Sequence, residues 1–214
     1  MTEVFFDFLC PYAWRGVEMA AVLRQQGEPF RLRHFSLVEG NHPDNAKELT
    51  WRLTDQPTDA EGGEGYMSYQ SPTFNAFLAA QAAYRQGEEN AWAFTLALYR
   101  AHHEQKKKLE EDTFQQAAQE AELDLKQWEK DRQDETGLRA TLRREFDDAR
   151  EIGVFGTPTF ALPGGEAAYY RFENLTRDPE QARQNWTLYT QAMHSNAGIG
   201  TIKRAKNRPP QKNS

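Results

Sequence analysis

The chain has 214 residues, 38% of them hydrophobic and 12% aromatic, which is enough apolar side chain for a sizeable core. A wholly disordered chain is therefore excluded in spite of a mean hydropathy of −0.87. The net charge is −6; the last 17 residues hold five Lys or Arg and no acid, leaving 21 basic against 32 acidic residues in the body, a poor surface for nucleic acid.

In chain order, residues 3–9 are rich in Phe and Val and predict a strand. A helix is expected from Tyr12 to Gln26, with Trp14, Val17 and Ala21 on related faces and Gly27 closing it. Phe30 to Leu37 alternates with period two, a second strand that would lie parallel to the first. From Val38 to Pro72 the pattern dissolves into an acidic loop, long enough to suggest that it covers a site. Residues 73–153 predict about five helices, from the stripes Trp92, Leu96, Tyr99, then His103, and Leu138, Leu142, Phe146, Ala149, Ile152. Thr113 and Asp124 are expected N-caps, each followed three residues later by Gln. Residues 157–162 and 167–172 flank Pro163-Gly-Gly-Glu166 as a hairpin, and a last helix is expected from Pro179 to His194.

This order fits an α/β protein: a thioredoxin fold with a four-stranded mixed sheet and an all-helical insertion. The fold would comprise residues 1–40 and 154–197. The loop and helical insertion would be 41–153, and the basic tail 198–214, partly disordered. No apolar run is long enough for a membrane span. Met1-Thr-Glu leads into the first strand with no basic segment before it, so a cytoplasmic protein without a membrane partner is expected.

Cys10 is the one cysteine. That excludes an intrachain disulfide and any zinc site built on several thiolates. It stands where the first strand gives way to the first helix, ahead of Pro11, which suits the first helical position. The free N–H groups and positive dipole end at a helix start favour an anion, and so a nucleophilic thiolate. The other reading is a buried cysteine serving as a small hydrophobe. Thr157-Pro158 opens a strand just after Gly153, where an X–Pro bond can be cis; the sequence leaves the isomer open.

Together, Asp7-Phe-Leu-Cys-Pro-Tyr-Ala-Trp14, Gly153-Val-Phe-Gly-Thr-Pro-Thr-Phe160 and the helical block between them resemble the DsbA-like branch of the thioredoxin superfamily. That branch includes FrnE-type oxidoreductases, kappa-class glutathione transferases and 2-hydroxychromene-2-carboxylate isomerases. The resemblance implies that Cys10 is the nucleophile. It also implies that Pro11, Tyr12, Trp14, Thr157 and Pro158 line the thiol or substrate site, with Thr157-Pro158 as the cis-proline loop. Ala13 departs from the oxidoreductases, which carry a second cysteine there. Cys10 departs from the transferases and isomerases, which carry serine.

Three activities follow from the resemblance. Cys10 is a monothiol oxidoreductase nucleophile whose mixed disulfide is resolved by glutathione or a similar thiol. Alternatively, it holds a glutathione thiolate in a transferase or isomerase, or the fold is a non-catalytic peptide binder. The implied partners are a small thiol or a disulfide-containing protein, with no tightly bound cofactor, no metal and either a monomer or a homodimer.

Other candidates are weaker. His102-His103 is expected to be a solvated helix end, and His34 or His42 is a candidate base. Asp7 is either a buried carboxylate tuning the thiol or a surface group, and Arg15 is a candidate for an anionic ligand. Trp51 with Tyr66-Met-Ser-Tyr69 forms either an aromatic lid or core. Lys106-Lys-Lys108 reads as a helix C-terminal cluster, and residues 201–208 as either a docking segment or a frayed tail.

Overall fold

The computed structural model describes residues 1–60 and 63–194. Its sheet has the order β2-β1-β3-β4, where β1 is Thr2–Phe6, β2 Phe30–His34, β3 Thr159–Ala161 and β4 Ala167–Tyr169. β1 pairs parallel with β2, Val4 opposite Leu32, and antiparallel with β3, Val4 opposite Phe160. β3 and β4 form the antiparallel hairpin. Parallel pairing needs a crossover, and α1 (Pro11–Gln25) supplies it. This is the thioredoxin fold.

Helices cover both faces of the sheet, so β1 reads as a continuous apolar run rather than an alternating one. Val4 and Phe6 belong to the main core, whereas Phe5 faces a smaller cluster of Phe35, Ala149, Val154 and Ala161. The described helices after α1 are α2 (Leu37–Gly40), α3 (Gln70–Tyr84), α4 (Glu88–Tyr99), α5 (Glu111–Glu120), α6 (Leu125–Gln133), α7 (Glu135–Ile152) and α8 (Pro179–Met193). α3 is the insert's central helix. Its Phe74, Ala76, Phe77, Ala79, Ala80, Ala82 and Ala83 are all buried, a pattern expected of a helix with neighbours on every side. The buried indole of Trp128 donates to the Ala79 carbonyl at 3.0 Å, fixing α6 against it. α8 closes the core by placing Trp186 and Tyr189 on Phe160, with Tyr189 Oη donating to the Phe160 carbonyl at 2.7 Å.

Several sequence expectations are corrected. β1 stops at Phe6 and β2 at His34, and both ends lie where the Asp7 carboxylate takes backbone donors, the N–H groups of Leu9 and Leu37. Ser36 caps α2 through the Glu39 N–H instead of extending β2. Thr113 is not an N-cap: α5 begins two residues earlier and buries it. Asp124 does cap α6, accepting from the Gln127 N–H. Ile152 is exposed at the end of α7.

The stretch after α2 is organised by side chains rather than by periodicity. Asn45 bridges the backbone of Glu39, Thr50 and Trp51. Arg139 of α7 donates to the carbonyls of Thr54 and Gln56, and Arg52 pairs with Asp147. Trp51 stacks on His42 at 4.1 Å, and Tyr69 is exposed. This segment is fastened to α7, and none of its described side chains hydrogen-bonds to Cys10. The side chain of Tyr66 and the expected tail of 198–214, including 201–208, lie outside the described residues. Among the described residues no helix is long and apolar enough to cross a membrane.

Candidate functional site

The turn between β1 and α1 is built around Cys10. Its N–H donates to the Asp7 carbonyl at 3.0 Å, and extended backbone angles (φ −89°, ψ 113°) make it the N-cap of α1. Pro11 takes the first helical position, where no N–H is needed. The sulfur accepts the Ala13 N–H at 3.4 Å, satisfying one of the free donors of the first turn. It also donates to the Thr157 carbonyl at 3.2 Å. The residue is 7% exposed.

Two segments 147 residues apart thus meet at one sulfur atom. The Thr157–Pro158 peptide is cis. Pro158 sits so close to α1 that a Cβ on Gly16 would come within 2.8 Å of its ring, so a side chain there would push the proline loop off the helix. Thr157 is 2% exposed, and its hydroxyl has no hydrogen-bond partner among the described residues.

Tyr12 and Trp14 leave the first turn of α1 toward different neighbours. The Tyr12 ring carries the guanidiniums of Arg171 and Arg15, with Cζ 4.4 and 5.3 Å from its centroid. The Trp14 indole stacks on His103, with centroids 5.4 Å apart and planes 8° from parallel, and donates to Glu18 at 3.3 Å. The expected site residues Cys10, Pro11, Tyr12, Trp14, Thr157 and Pro158 therefore form one locality. His34 and His42 do not reach it. His34 is buried with Glu145 and Gln81, its Nδ1 2.7 Å from the Glu145 carboxylate. Lys106 donates from its ammonium to the His103 carbonyl near the end of α4.

Two buried carboxylates stand on either side of the thiol turn. Asp7 is fully buried and accepts only from neutral donors: the N–H groups of Leu9 (2.9 Å) and Leu37 (2.7 Å) and the Thr73 hydroxyl (3.1 Å). Burial outweighs these bonds and pushes its pKa up to about 6. Asp7 is thus a buried carboxylate and not a surface group. Glu18 is 1% exposed but meets the guanidiniums of Arg100 and Arg177 in two paired contacts. Burial raises its pKa, the arginines lower it more, and the result is about 2.

The donors from the insert were not legible as site residues. After α4 the chain makes a π-helical turn, Arg100–Glu104, a feature often found near functional sites. This turn and the end of α4 send three side chains to the thiol turn. Tyr99 donates to the Asp7 carbonyl at 2.9 Å, His103 Nε2 donates to the Phe8 carbonyl at 2.8 Å, and Arg100 binds Glu18. Burial, with the charges of Cys10 and Asp7, pushes the Tyr99 phenol well above its usual range. Burial also holds His103 near 4 against its bond to Phe8. His103 is thus not a solvated helix end. The signal was present in the sequence, since it continues the stripe of Trp92, Leu96 and Tyr99. Among the described residues no cluster of three or more His, Cys, Asp or Glu is placed to hold a metal ion.

A search of curated sequences gives no match. Among solved structures, the cytosolic disulfide reductase DsbM from Pseudomonas aeruginosa is similar at a TM-score of 0.57 and 19% identity, over 89% of this chain and 98% of that one; it has also been solved with GSH. A 2-hydroxychromene-2-carboxylate isomerase is similar at a TM-score of 0.59 and 17% identity, over 94% and 99%. The thiol-disulfide exchange protein alpha-DsbA2 from Wolbachia pipientis gives 0.55 and 15%, over 88% and 80%. At these identities the likeness is one of fold. The sequence itself matches the DSBA-like thioredoxin domain over residues 1–177, and the chain belongs to that family.

Proposed function

We propose that the protein is a thiol–disulfide oxidoreductase working through Cys10 as its single nucleophile, with glutathione or a similar low-molecular-weight thiol as co-substrate. The observation that carries this reading is the position of Cys10 Sγ, which caps α1 and touches the Thr157 carbonyl. The Ala13 N–H supports negative charge on the sulfur, and the Thr157 carbonyl takes up the thiol proton's hydrogen bond until that proton leaves.

In the first step the Cys10 thiolate attacks one sulfur of a disulfide or of a glutathionylated protein. A bond from Cys10 to that sulfur forms, the original S–S bond breaks, and the departing thiolate leaves with the electron pair. A dithiol enzyme would resolve this adduct with its own second cysteine. Here that place is Ala13, and the chain has no other thiol. With a glutathionylated substrate the sulfur left on Cys10 is glutathione's, and a free glutathione thiolate attacks it, giving glutathione disulfide and restoring the Cys10 thiolate. One mixed disulfide and one free glutathione thus become a protein thiol and glutathione disulfide; a disulfide that carries no glutathione consumes two glutathiones over two such exchanges. Pro11, Tyr12, Trp14, Thr157 and Pro158 form the walls against which the substrate lies, and no metal or tightly bound cofactor enters the scheme. The reducing cytoplasm, where glutathione is abundant, is the compartment this direction requires.

The second reading is a glutathione-dependent transferase or isomerase. Its support is that Cys10 Sγ both accepts and donates a hydrogen bond, as a serine hydroxyl would. Cys10→Ser separates the two. With a glutathionylated peptide and excess glutathione, the oxidoreductase loses turnover and loses the glutathione adduct seen by intact mass. A serine variant that still turns over an electrophile or a double bond with glutathione establishes the second reading and sinks the first.

A further inference from the structure

We propose that Arg171 and Arg15 form a carboxylate-recognising rim across Tyr12 that selects anionic thiols and disulfides for Cys10. The proposal rests on the reading of Cys10 as the reacting thiol. The Tyr170 N–H donates to the Pro158 carbonyl at 3.1 Å, so Arg171 leaves the chain beside the cis-proline loop. Its guanidinium reaches back over Tyr12, two residues after the thiol, and Arg15 does the same from α1.

Both side chains are held, but by neutral groups. Arg171 Nε donates to the Tyr169 hydroxyl at 2.9 Å, and Arg15 Nη1 donates to the Phe172 carbonyl at 3.0 Å. Neither pairs with a carboxylate among the described residues. Most arginines elsewhere in the molecule do, such as Arg33 with Glu3, Arg52 with Asp147, Arg132 with Glu111 and Arg150 with Glu39. A guanidinium offers five N–H donors in a planar fork suited to a carboxylate, and each of these two leaves most of its donors open.

The field of the whole molecule makes this local exception matter. A chain of net charge −6 repels small anions in general, so an anionic thiol is drawn to Cys10 only by uncompensated positive charge beside it. The hydrogen bond that Arg171 donates to Tyr169, with the nearby Tyr12 and Cys10, pushes the Arg171 pKa up from an already high value, so the cation is permanent. The unpartnered Thr157 hydroxyl supplies a further polar group at the same loop.

The test reads the charge preference of Cys10 directly. The protein is labelled with a sulfonatoethyl or a trimethylammonioethyl methanethiosulfonate and followed by intact mass. In both, the thiolate forms a disulfide and expels methanesulfinate, so the reagents differ mainly in the charge they bring. Arg171→Gln is expected to lower the ratio of anion to cation rates about three- to tenfold at low ionic strength, an effect that added salt shrinks. Arg171→Lys restores most of it, Arg15→Gln lowers it less, and Arg144→Gln, on the exposed side of α7, leaves it unchanged. A ratio unmoved by Arg171→Gln overturns the proposal, as does an equal fall in Arg144→Gln. A wild type that turns over glutathione yet shows no preference for the anionic reagent sinks this inference alone. A wild-type thiol that neither reagent labels sinks the oxidoreductase reading with it.

Discussion

Asp7, three residues before Cys10, and Glu18, eight residues after it, are both buried carboxylates, and their surroundings treat them in opposite ways. Asp7 lies on the strand side among backbone N–H groups and one hydroxyl, and burial holds its pKa at about 6. Glu18 lies on the helix side between two guanidiniums, whose hydrogen bonds outweigh burial and hold it at about 2. Neither side chain reaches the surface, and what sets them apart above all is the charge of the donors, since neutral hydrogen bonds only partly offset the desolvation of a carboxylate. The two flanks of the thiol turn consequently answer to different ranges of pH.

The largest effect expected concerns Asp7. Its folded pKa is raised from 3.8 to about 6, so the native state binds more protons than the unfolded chain between those values. Stability from this group is present in full below the unfolded pKa and is lost as pH rises through about 6. The loss is on the order of 3 kcal/mol, about two units at 1.36 kcal/mol each. Urea denaturation of the wild type and Asp7→Asn from pH 4 to pH 7 isolates it. The wild type should lose stability relative to the variant across that interval. Parallel profiles would break the contrast with Glu18.

Glu18→Gln comes next. Removing one partner of a fully buried ion pair costs roughly 3–5 kcal/mol. Here Arg100 and Arg177 are each 42% exposed and can turn to water, so about 2 kcal/mol is expected at pH 7. The sign of its pH dependence is the reverse of Asp7. A carboxylate lowered from 4.5 to about 2 contributes stability above 4.5 that is lost as pH falls through about 2. The penalty of Glu18→Gln, measured by urea midpoints, should therefore be constant near neutrality and shrink on strong acidification. A penalty that grows in acid would show that the arginines do not hold Glu18.

What was legible in the sequence follows the same division between local and distant causes. The strand-to-helix junction at Cys10, the Pro11 start of α1 and the 157–162 strand entry are written in neighbouring residues, and the sheet and the five insert helices follow from periodicity. The ends of β1 and β2 were not legible. They are set by Asp7, whose carboxylate takes the N–H groups of Leu9 and Leu37, and residue 37 is no sequence neighbour of residue 7. The 41–60 segment looked patternless because its order comes from Asn45, Arg52 and Arg139; hydrogen bonds from side chains to distant backbone have no period. The stripe of Trp92, Leu96 and Tyr99 marks His103 as inward-facing, but the π-helical turn that aims it at Phe8, and the reach of Arg171 over Tyr12, have no local signature.

The smallest prediction tests whether the insert couples these flanks. His103 donates to Phe8 and stacks on Trp14, so it touches the turn on the Asp7 side and the helix on the Glu18 side. His103→Phe keeps an aromatic ring and loses the hydrogen bond, costing about 1 kcal/mol at pH 7. Its effect on pH dependence is more telling. His103 is lowered from 6.5 to about 4, so between those values the unfolded state binds more protons and stability rises with pH. Asp7 works in the opposite direction over nearly the same interval. In the wild type the two slopes offset each other, and the stability profile from pH 4 to 6.5 is flatter than either group alone would give. Asp7→Asn should expose a profile rising with pH, His103→Phe one falling with pH, and the double variant one close to the wild type's flatness. Equal signs for the two single variants would mean that burial of His103 does not set its charge, and that the π-helical turn holds the thiol site by packing alone.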